Sequence, residues 1–384
     1  MTSRPVEFLF WLSLAVIAYI YAGYPLLVWL LGRLRRMTVR KTDFEPFVSI
    51  LIAAHDEEAA IAQTIQNKLD LDYPRDRLEI IVVSDASTDR TDEIARSFAP
   101  RGVVVLRQEP RNGKSAALNL AVERARGEIL VFADANSVYE RQALRHLVAN
   151  FADPAVGYVT GTLAYVSSAR SMTGEGCGLY MKYENFVRRS ETRVGSVVGV
   201  NGGVDAMRRS LYRRLSPDDL PDLVLPLYVV QCGYRVIFEP AALLAEKPLS
   251  APGDEYRMRV RVALRALWTV AEMRGILDVR RHGFYAVQVF SHKVLRYTAF
   301  VFMATLYGTS LWLAQASPVY AAAVVLQTAA ILLAAAGFCA ARNGSPGRLL
   351  AVPYYFALVN FAALHACWRF LNGNRARTWT PRLG

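Results

Sequence analysis

Cysteine is scarce and scattered. The 384 residues hold four, Cys177, Cys232, Cys339 and Cys367, none at zinc-ligand spacing. That excludes a disulfide framework and a zinc module. Carboxylates are outnumbered, 33 Asp and Glu against 45 Lys and Arg, for a formal net charge of +12. No interleaving of aromatic and basic residues accompanies that excess, so it does not call for nucleic acid; it suits an anionic membrane leaflet. Internal repeats, low-complexity tracts and Gly/Ser linkers are missing as well. Hydrophobic residues, by contrast, make up 53% of the chain, which excludes disorder.

The apolar excess is gathered in blocks. Residues 8–31 are 24 successive uncharged positions, more than the roughly 20 that cross a hydrocarbon core of about 30 Å. Residues 297–341 are 45 more, enough for two spans with a turn at 315–318, and residues 349–368 carry one His and no formal charge. Four spans are therefore expected. The first run leads into Arg33, Arg35, Arg36, Arg40 and Lys41 without a small-residue cleavage site, which predicts a retained anchor rather than a signal peptide. The positive-inside rule places this cluster, and the domain after it, in the cytoplasm of a multi-pass inner-membrane protein. The basic residues of 342–348 agree. Arg375, Arg377 and Arg382 would fall outside after a third late crossing, so either the tail is translocated or one late segment is re-entrant.

These blocks predict four regions: an anchor with its basic flank at 1–42, a water-soluble domain at 43–254, amphipathic interfacial helices at 255–296, and a membrane region with its tail at 297–384. In the soluble domain, β-branched runs at 48–53, 79–84, 103–107 and 129–133 alternate with helical patterns. Such alternation predicts a mostly parallel sheet covered by helices, with ligands at the carboxyl ends of its strands. Acidic residues stand at those ends: Asp56, Glu57 and Glu58 after the first run, Asp85 and Asp89 after the second, Asp134 after the fourth. Capping or solvation explains Glu58, Ser87 and Asp89 as readily as ligand contact. Asp85 and Asp134 directly follow apolar strands. With Asn136, Asp134 offers oxygen ligands for Mg²⁺ or Mn²⁺, cations that complete their shells with water and substrate phosphates. Gly113-Lys114-Ser115 opens a helix and suits an anion, without the second glycine of a Walker A loop.

Taken in order, Val48 to Glu58, Val83-Ser84-Asp85-Ala86-Ser87-Thr88-Asp89, Asn112-Gly113-Lys114 and Phe132-Ala133-Asp134-Ala135-Asn136 resemble the membrane-integral family 2 glycosyltransferases, the group of cellulose, hyaluronan and poly-N-acetylglucosamine synthases. The resemblance runs from about residue 47 to the carboxyl end. It implies a GT-A-like, Rossmann-type α/β domain flanked by transmembrane helices. It also implies that Asp56, Glu57 and Asp85 hold the nucleotide of a nucleotide-sugar donor, and that Asp134 and Asn136 hold the metal, Asn standing where the family has a second Asp. Asp222, ahead of Gly233-Tyr234-Arg235, takes the place of the catalytic base, with Pro221 where the family has another acid. Such a base removes the acceptor's proton in the transition state and implies inversion. Lys114, Arg259 and Arg261 would neutralise the leaving diphosphate. Asn201 and Gly202 match the acceptor side, although a glycine pair is also an ordinary turn.

Arg257, Arg261 and Arg265 share one helical face, and Leu264, Leu267 and Trp268 another, the pattern of an interfacial helix. His292 and Lys293 read as interfacial anchors. The family's processive members carry Gln and Trp where this chain has Met258 and Val262, which favours single addition over polymerisation. The expected function is inverting transfer of a sugar from a nucleoside diphosphate, a uridine one by resemblance, to a saccharide or lipid-linked acceptor. Alternatives are single addition to a lipid-linked repeat unit, and a weakly catalytic scaffold that binds nucleotide sugar; a partner subunit or homo-oligomer is compatible with each.

Overall fold

In the computed structural model, residues 4–165, 172–246, 252–342 and 348–376 are described. They divide into two units, one of Met1–Leu30, Ser167–Tyr183 and Pro248–Arg375, the other of Leu31–Val166, Glu184–Lys247 and Ala376–Gly384. Residues 343–347 of the basic loop, and Arg377 and Arg382 of the tail, lie outside the described residues.

The described residues of the second unit form eight strands: β1 (Val48–Ala54), β2 (Leu78–Asp85), β3 (Val103–Gln108), β4 (Ile129–Asp134), β5 (Val138–Tyr139), β6 (Val156–Tyr165), β7 (Asp205–Arg208) and β8 (Arg235–Glu246). Their order in the sheet is β3-β2-β1-β4-β7-β6-β8-β5. The first four coincide with the β-branched runs. Continuous apolar strands of this kind need cover on both faces, and β1 is buried along its whole length. Parallel register aligns their carboxyl ends: Ala54 lies opposite Ser84, and Ala53 opposite Asp134.

The sheet is mostly parallel, as expected, and is made mixed by two reversed strands, β5 and β7. β7 runs antiparallel to both β4 and β6, and β5 antiparallel to β8. The reversal positions the site. Because β7 runs against β4, it is the amino end of β7 that meets the carboxyl end of β4, with Asp205 opposite Phe132. The residues just before β7 therefore arrive at the same edge as the acidic ends of the parallel strands.

The other unit is helical. Among the described residues three helices are long and apolar enough to cross a membrane: Arg4–Arg35, Pro318–Ala341 and Leu349–Leu371. A turn does divide the 45-residue apolar run, but the helix before it, Ala299–Leu313, has 15 residues. At 1.5 Å per residue that is roughly 22 Å, short of the hydrocarbon thickness. The helix Pro252–Glu272 packs along Leu349–Leu371 in parallel. The Tyr355 hydroxyl donates to Glu255 at 2.9 Å near one end, and Trp268 packs at a tilt against Phe370 (ring centroids 4.6 Å apart) and bonds the Asn374 carbonyl (2.8 Å) near the other. His292 is an inward residue instead of an interfacial anchor: it is buried beside Tyr24, and its neighbour Ser291 bonds the Tyr19 hydroxyl at 2.8 Å.

Candidate active site at the carboxyl edge of the sheet

Gly202 and Gly203 precede β7, and each lies against a carboxylate. A Cβ on Gly202 would stand 2.6 Å from Cγ of Asp222, and one on Gly203 would stand 2.8 Å from Oδ2 of Asp134. Consecutive glycines thus form the floor under the two acids that sequence reasoning assigned to base and metal. Gly203 also has φ +84, a conformation that favours glycine. Asp222 is in the first turn of the helix Pro221–Gln231, which starts with Pro at a position where a missing N–H costs nothing.

Lys114 completes the group. Its ammonium meets Oδ1 of Asp134 at 2.6 Å. Burial pulls the Lys114 pKa down, but Asp134, with Asp222 and Asp205, more than reverses this and holds it above its ordinary value. It remains a cation at physiological pH.

Asp85, expected to hold the nucleotide, lies at the carboxyl end of β2. It is fully buried, and its carboxylate accepts from the backbone N–H groups of Asn112 (2.8 Å) and Gly113 (2.9 Å) and from the Gln108 amide. Of the Gly113-Lys114-Ser115 segment, the Gly113 amide is therefore held by this side chain, and the Ser115 hydroxyl bonds the Asp219 carbonyl at 3.0 Å. The arrangement sets the start of the helix Lys114–Arg124 and so aims Lys114. Asp56 stands at the crevice with φ +51, its Oδ1 accepting from Thr88 N at 2.7 Å. Glu57, half-buried, donates its backbone N–H to the Thr91 hydroxyl at 2.8 Å. Asp89 accepts from Thr91 N and Glu58 N, both at 2.9 Å, so it caps and clasps the two loops.

Asn201 is buried, and its amide donates to the Gly161 carbonyl at 2.8 Å; it fixes the glycine pair to β6. Arg259 belongs to the helical unit, where Glu255 Oε1 (2.8 Å) and the Tyr355 hydroxyl (2.6 Å) engage its guanidinium. Arg261 is half-buried on the same helix.

Sequence reasoning missed two residues. Lys68 has no exposed surface; its Nζ donates to the Ser137 carbonyl at 2.8 Å and sits 3.7 Å over the Tyr139 ring. Ser137 in turn donates to the Asp134 carbonyl at 2.8 Å, and the Tyr139 hydroxyl bonds the carbonyls of Gly203 (2.6 Å) and Phe132 (3.1 Å). One helix, Ile61–Leu69, therefore props both the Asp134 turn and the glycine floor. A lysine in an amphipathic helix gives no sign of this in sequence. The second is Asp205, 2% exposed at the start of β7; an Asp between Val204 and Ala206 in a strand was the available signal.

Among the described residues no group of three or more His, Cys, Asp or Glu side chains is placed to hold a metal ion. The donor set of one carboxylate, Asp134, and one half-exposed amide, Asn136, fits the sparser protein shell of Mg²⁺ or Mn²⁺, which take one or two carboxylates and complete coordination with water and phosphates.

Residues 49–215 match the model of Glycosyl transferase family 2. The probable glycosyltransferase YdaM of Bacillus subtilis is 31% identical over 229 residues, 57% of this chain and 54% of that protein. A beta-monoglucosyldiacylglycerol synthase of Nostoc is 30% identical over 207 residues, 51% of this chain and 44% of that protein. The chain thus spans about half the length of these curated relatives. Among solved structures, the mannosyltransferase PcManGT from Pyrobaculum calidifontis, in complex with GDP-Man and Mn²⁺, aligns with a TM-score of 0.72 at 24% identity, covering 94% of this chain and 99% of that one. That likeness is one of fold.

Proposed function

We propose that this chain, whose residues 49–215 match the model of Glycosyl transferase family 2, is a glycosyltransferase that moves a sugar from a nucleoside diphosphate to a hydroxyl of a saccharide or lipid-linked acceptor. Inversion at the anomeric carbon and a site on the cytoplasmic face of the inner membrane belong to the same reading. The observation that carries it is the pair of carboxylates, Asp134 and Asp222, seated on consecutive glycines with Lys114 beside them.

Asp222 takes the proton of the acceptor hydroxyl as that oxygen bonds to the anomeric carbon. The bond from that carbon to phosphate breaks, and its electron pair leaves with the nucleoside diphosphate. The rate advantage of a positioned base is about 10²–10⁴-fold. Lys114 stabilises the negative charge that develops on the leaving group. Asp134, with Asn136 beside it, would hold Mg²⁺ or Mn²⁺, which supplies further neutralisation of the diphosphate when bound. Asp56 and Glu57 are assigned to the nucleotide, and Asp85 to the loop that aims Lys114. Arg261 is assigned to the diphosphate on its motif match, and Arg259 to holding its own helix through Glu255.

Single addition is the second reading, favoured by Met258 and Val262 and by the glucosyldiacylglycerol synthase among the relatives. Uridine donors come first by resemblance, and guanosine donors second because the solved neighbour holds GDP-mannose. Purified protein with Mn²⁺ or Mg²⁺ and radiolabelled UDP and GDP sugars is expected to transfer or hydrolyse at least one of them. Folded protein inert to the whole set refutes the proposal, and a product ladder on a gel refutes single addition.

A further inference from the structure

The two seated acids belong to different segments, Asp134 to the end of β4 and Asp222 to the helix Pro221–Gln231, and one side chain that the mechanism above does not use joins the backbone beneath both. Tyr139, in β5, is 3% exposed. Its hydroxyl donates to the Gly203 carbonyl at 2.6 Å and to the Phe132 carbonyl at 3.1 Å. Phe132 lies on β4 just before the Asp134 end, and the ladder between β4 and β7 stops where it faces Asp205. Gly203 belongs to the floor, whose Cβ positions lie 2.8 Å from Oδ2 of Asp134 and, at Gly202, 2.6 Å from Cγ of Asp222. One O–H therefore ties the strand that ends in the donor-side acid to the floor under the proposed base.

We propose that Tyr139 is a positioning residue for that base: its hydroxyl fixes the Gly202–Gly203 floor, and with it the Asp222 carboxylate, at a set distance from the donor at Asp134. The inference rests on Asp222 being the base. Tyr139 suits the task because it is itself held at both ends. Its backbone N–H donates to Asn67 Oδ1 at 2.7 Å, its carbonyl accepts from Asn67 Nδ2 at 2.9 Å, and the Lys68 ammonium sits 3.7 Å over its ring. A site keeps its geometry when the groups behind it are locked in this way. Buried carbonyls are normally paired, so without the hydroxyl the floor moves to find another partner, and the base moves with it. The contact of Lys114 with Asp134 at 2.6 Å does not run through the hydroxyl. Rate, and not donor binding, is what the hydroxyl controls.

The test uses full-length protein in detergent, with single-turnover sugar transfer at saturating donor and acceptor and a steady-state donor KM. Tyr139→Phe removes only the hydroxyl; kcat is expected to fall by at least about tenfold with the donor KM within about twofold of wild type, as for a misplaced base. Tyr139→Leu also takes the ring from beneath Lys68, and there the donor KM is expected to rise as well. Built on Asp222→Asn, Tyr139→Phe should cost less than about twofold more, because two residues acting through one another are not additive. A Tyr139→Phe enzyme with the wild-type rate, one whose donor KM rises as much as its kcat falls, or a full loss repeated on the Asp222→Asn background overturns the proposal. Should Tyr139→Phe fail to fold, Asn67→Ala releases the Tyr139 backbone instead; a kcat that falls more than the donor KM rises supports the proposal, and a wild-type rate overturns it. Asp222→Asn by itself separates premise from inference: full activity there overturns both, whereas its slow rate beside a wild-type Tyr139→Phe overturns only the role of Tyr139.

Discussion

Replacing Gly202 with Ala separates the stability of this fold from its chemistry. The added Cβ stands 2.6 Å from Asp222 Cγ and 2.8 Å from its Oδ1, whereas carbon atoms rest at about 3.5–4.0 Å. The carboxyl group has to withdraw by about 1 Å. What blocks the methyl is the end of a half-buried side chain rather than backbone, so Asp222 can turn aside and the fold is kept. As the proposed base, Asp222 cannot turn aside without loss, because a misplacement of about 1 Å costs on the order of 10²-fold in rate. The expected result is a kcat about 10²-fold lower, a melting temperature close to wild type, and a donor-induced rise in melting temperature that is retained, since bound ligand stabilises by mass action. Single-turnover transfer and thermal shift with the donor provide both readings. A rate within about threefold of wild type would refute the claim that Gly202 seats the base, as would loss of donor binding to the same extent as rate.

Four further outcomes follow from the same geometry. Gly203→Ala is expected to be less stable than Gly202→Ala, because φ +84 adds about 1–2 kcal/mol of left-handed strain to the pressure on Asp134; denaturant melts would show the difference. Lys114→Met should lower kcat/KM by about 10²–10³-fold, the usual effect of losing one charge-stabilising donor, in a steady-state transfer assay. Lys68→Met leaves the Ser137 carbonyl without its ammonium partner, at a cost of about 1–3 kcal/mol, and should raise the donor KM more than it lowers kcat as the Asp134 turn relaxes. Glu79 supplies an acid-side prediction: burial pushes its carboxyl up, but the Ser49 hydroxyl and Arg126 outweigh this and hold it below its ordinary value. Its stabilisation is present above the unfolded value of about 4.3 and is lost as pH falls through the lower folded value. Melting curves of Glu79→Gln should therefore converge on wild type in acid and fall below it near neutrality.

The parallel half of the sheet was legible because its strands are continuous β-branched runs with acids at their ends, and all four begin within one residue of their expected starts. The other four strands were not. β5 has two residues, β6 contains Gly157 and Gly161, and β8 contains Pro240, so none presents a clean apolar period. Asp134 and Asp222 were picked out by position along the chain, but their common seat is a contact between segments far apart in sequence. Local spacing carries no record of it, and the glycine pair read as a turn. Asp85 shows the opposite limit: an acid at a strand end looks the same in sequence whether it faces the crevice or turns inward to hold two backbone amides. Lys68 was invisible because its burial comes from the segment 134–139 laid across its helix.

The central claim, that Asp222 is the base of a sugar transfer, is tested most directly by single-turnover kinetics of Asp222→Asn with donor and acceptor both saturating. The account predicts a rate lower by about 10²–10⁴-fold while the donor still raises the melting temperature as it does in wild type. Transfer at the wild-type rate by a variant with no carboxylate at that position would contradict it.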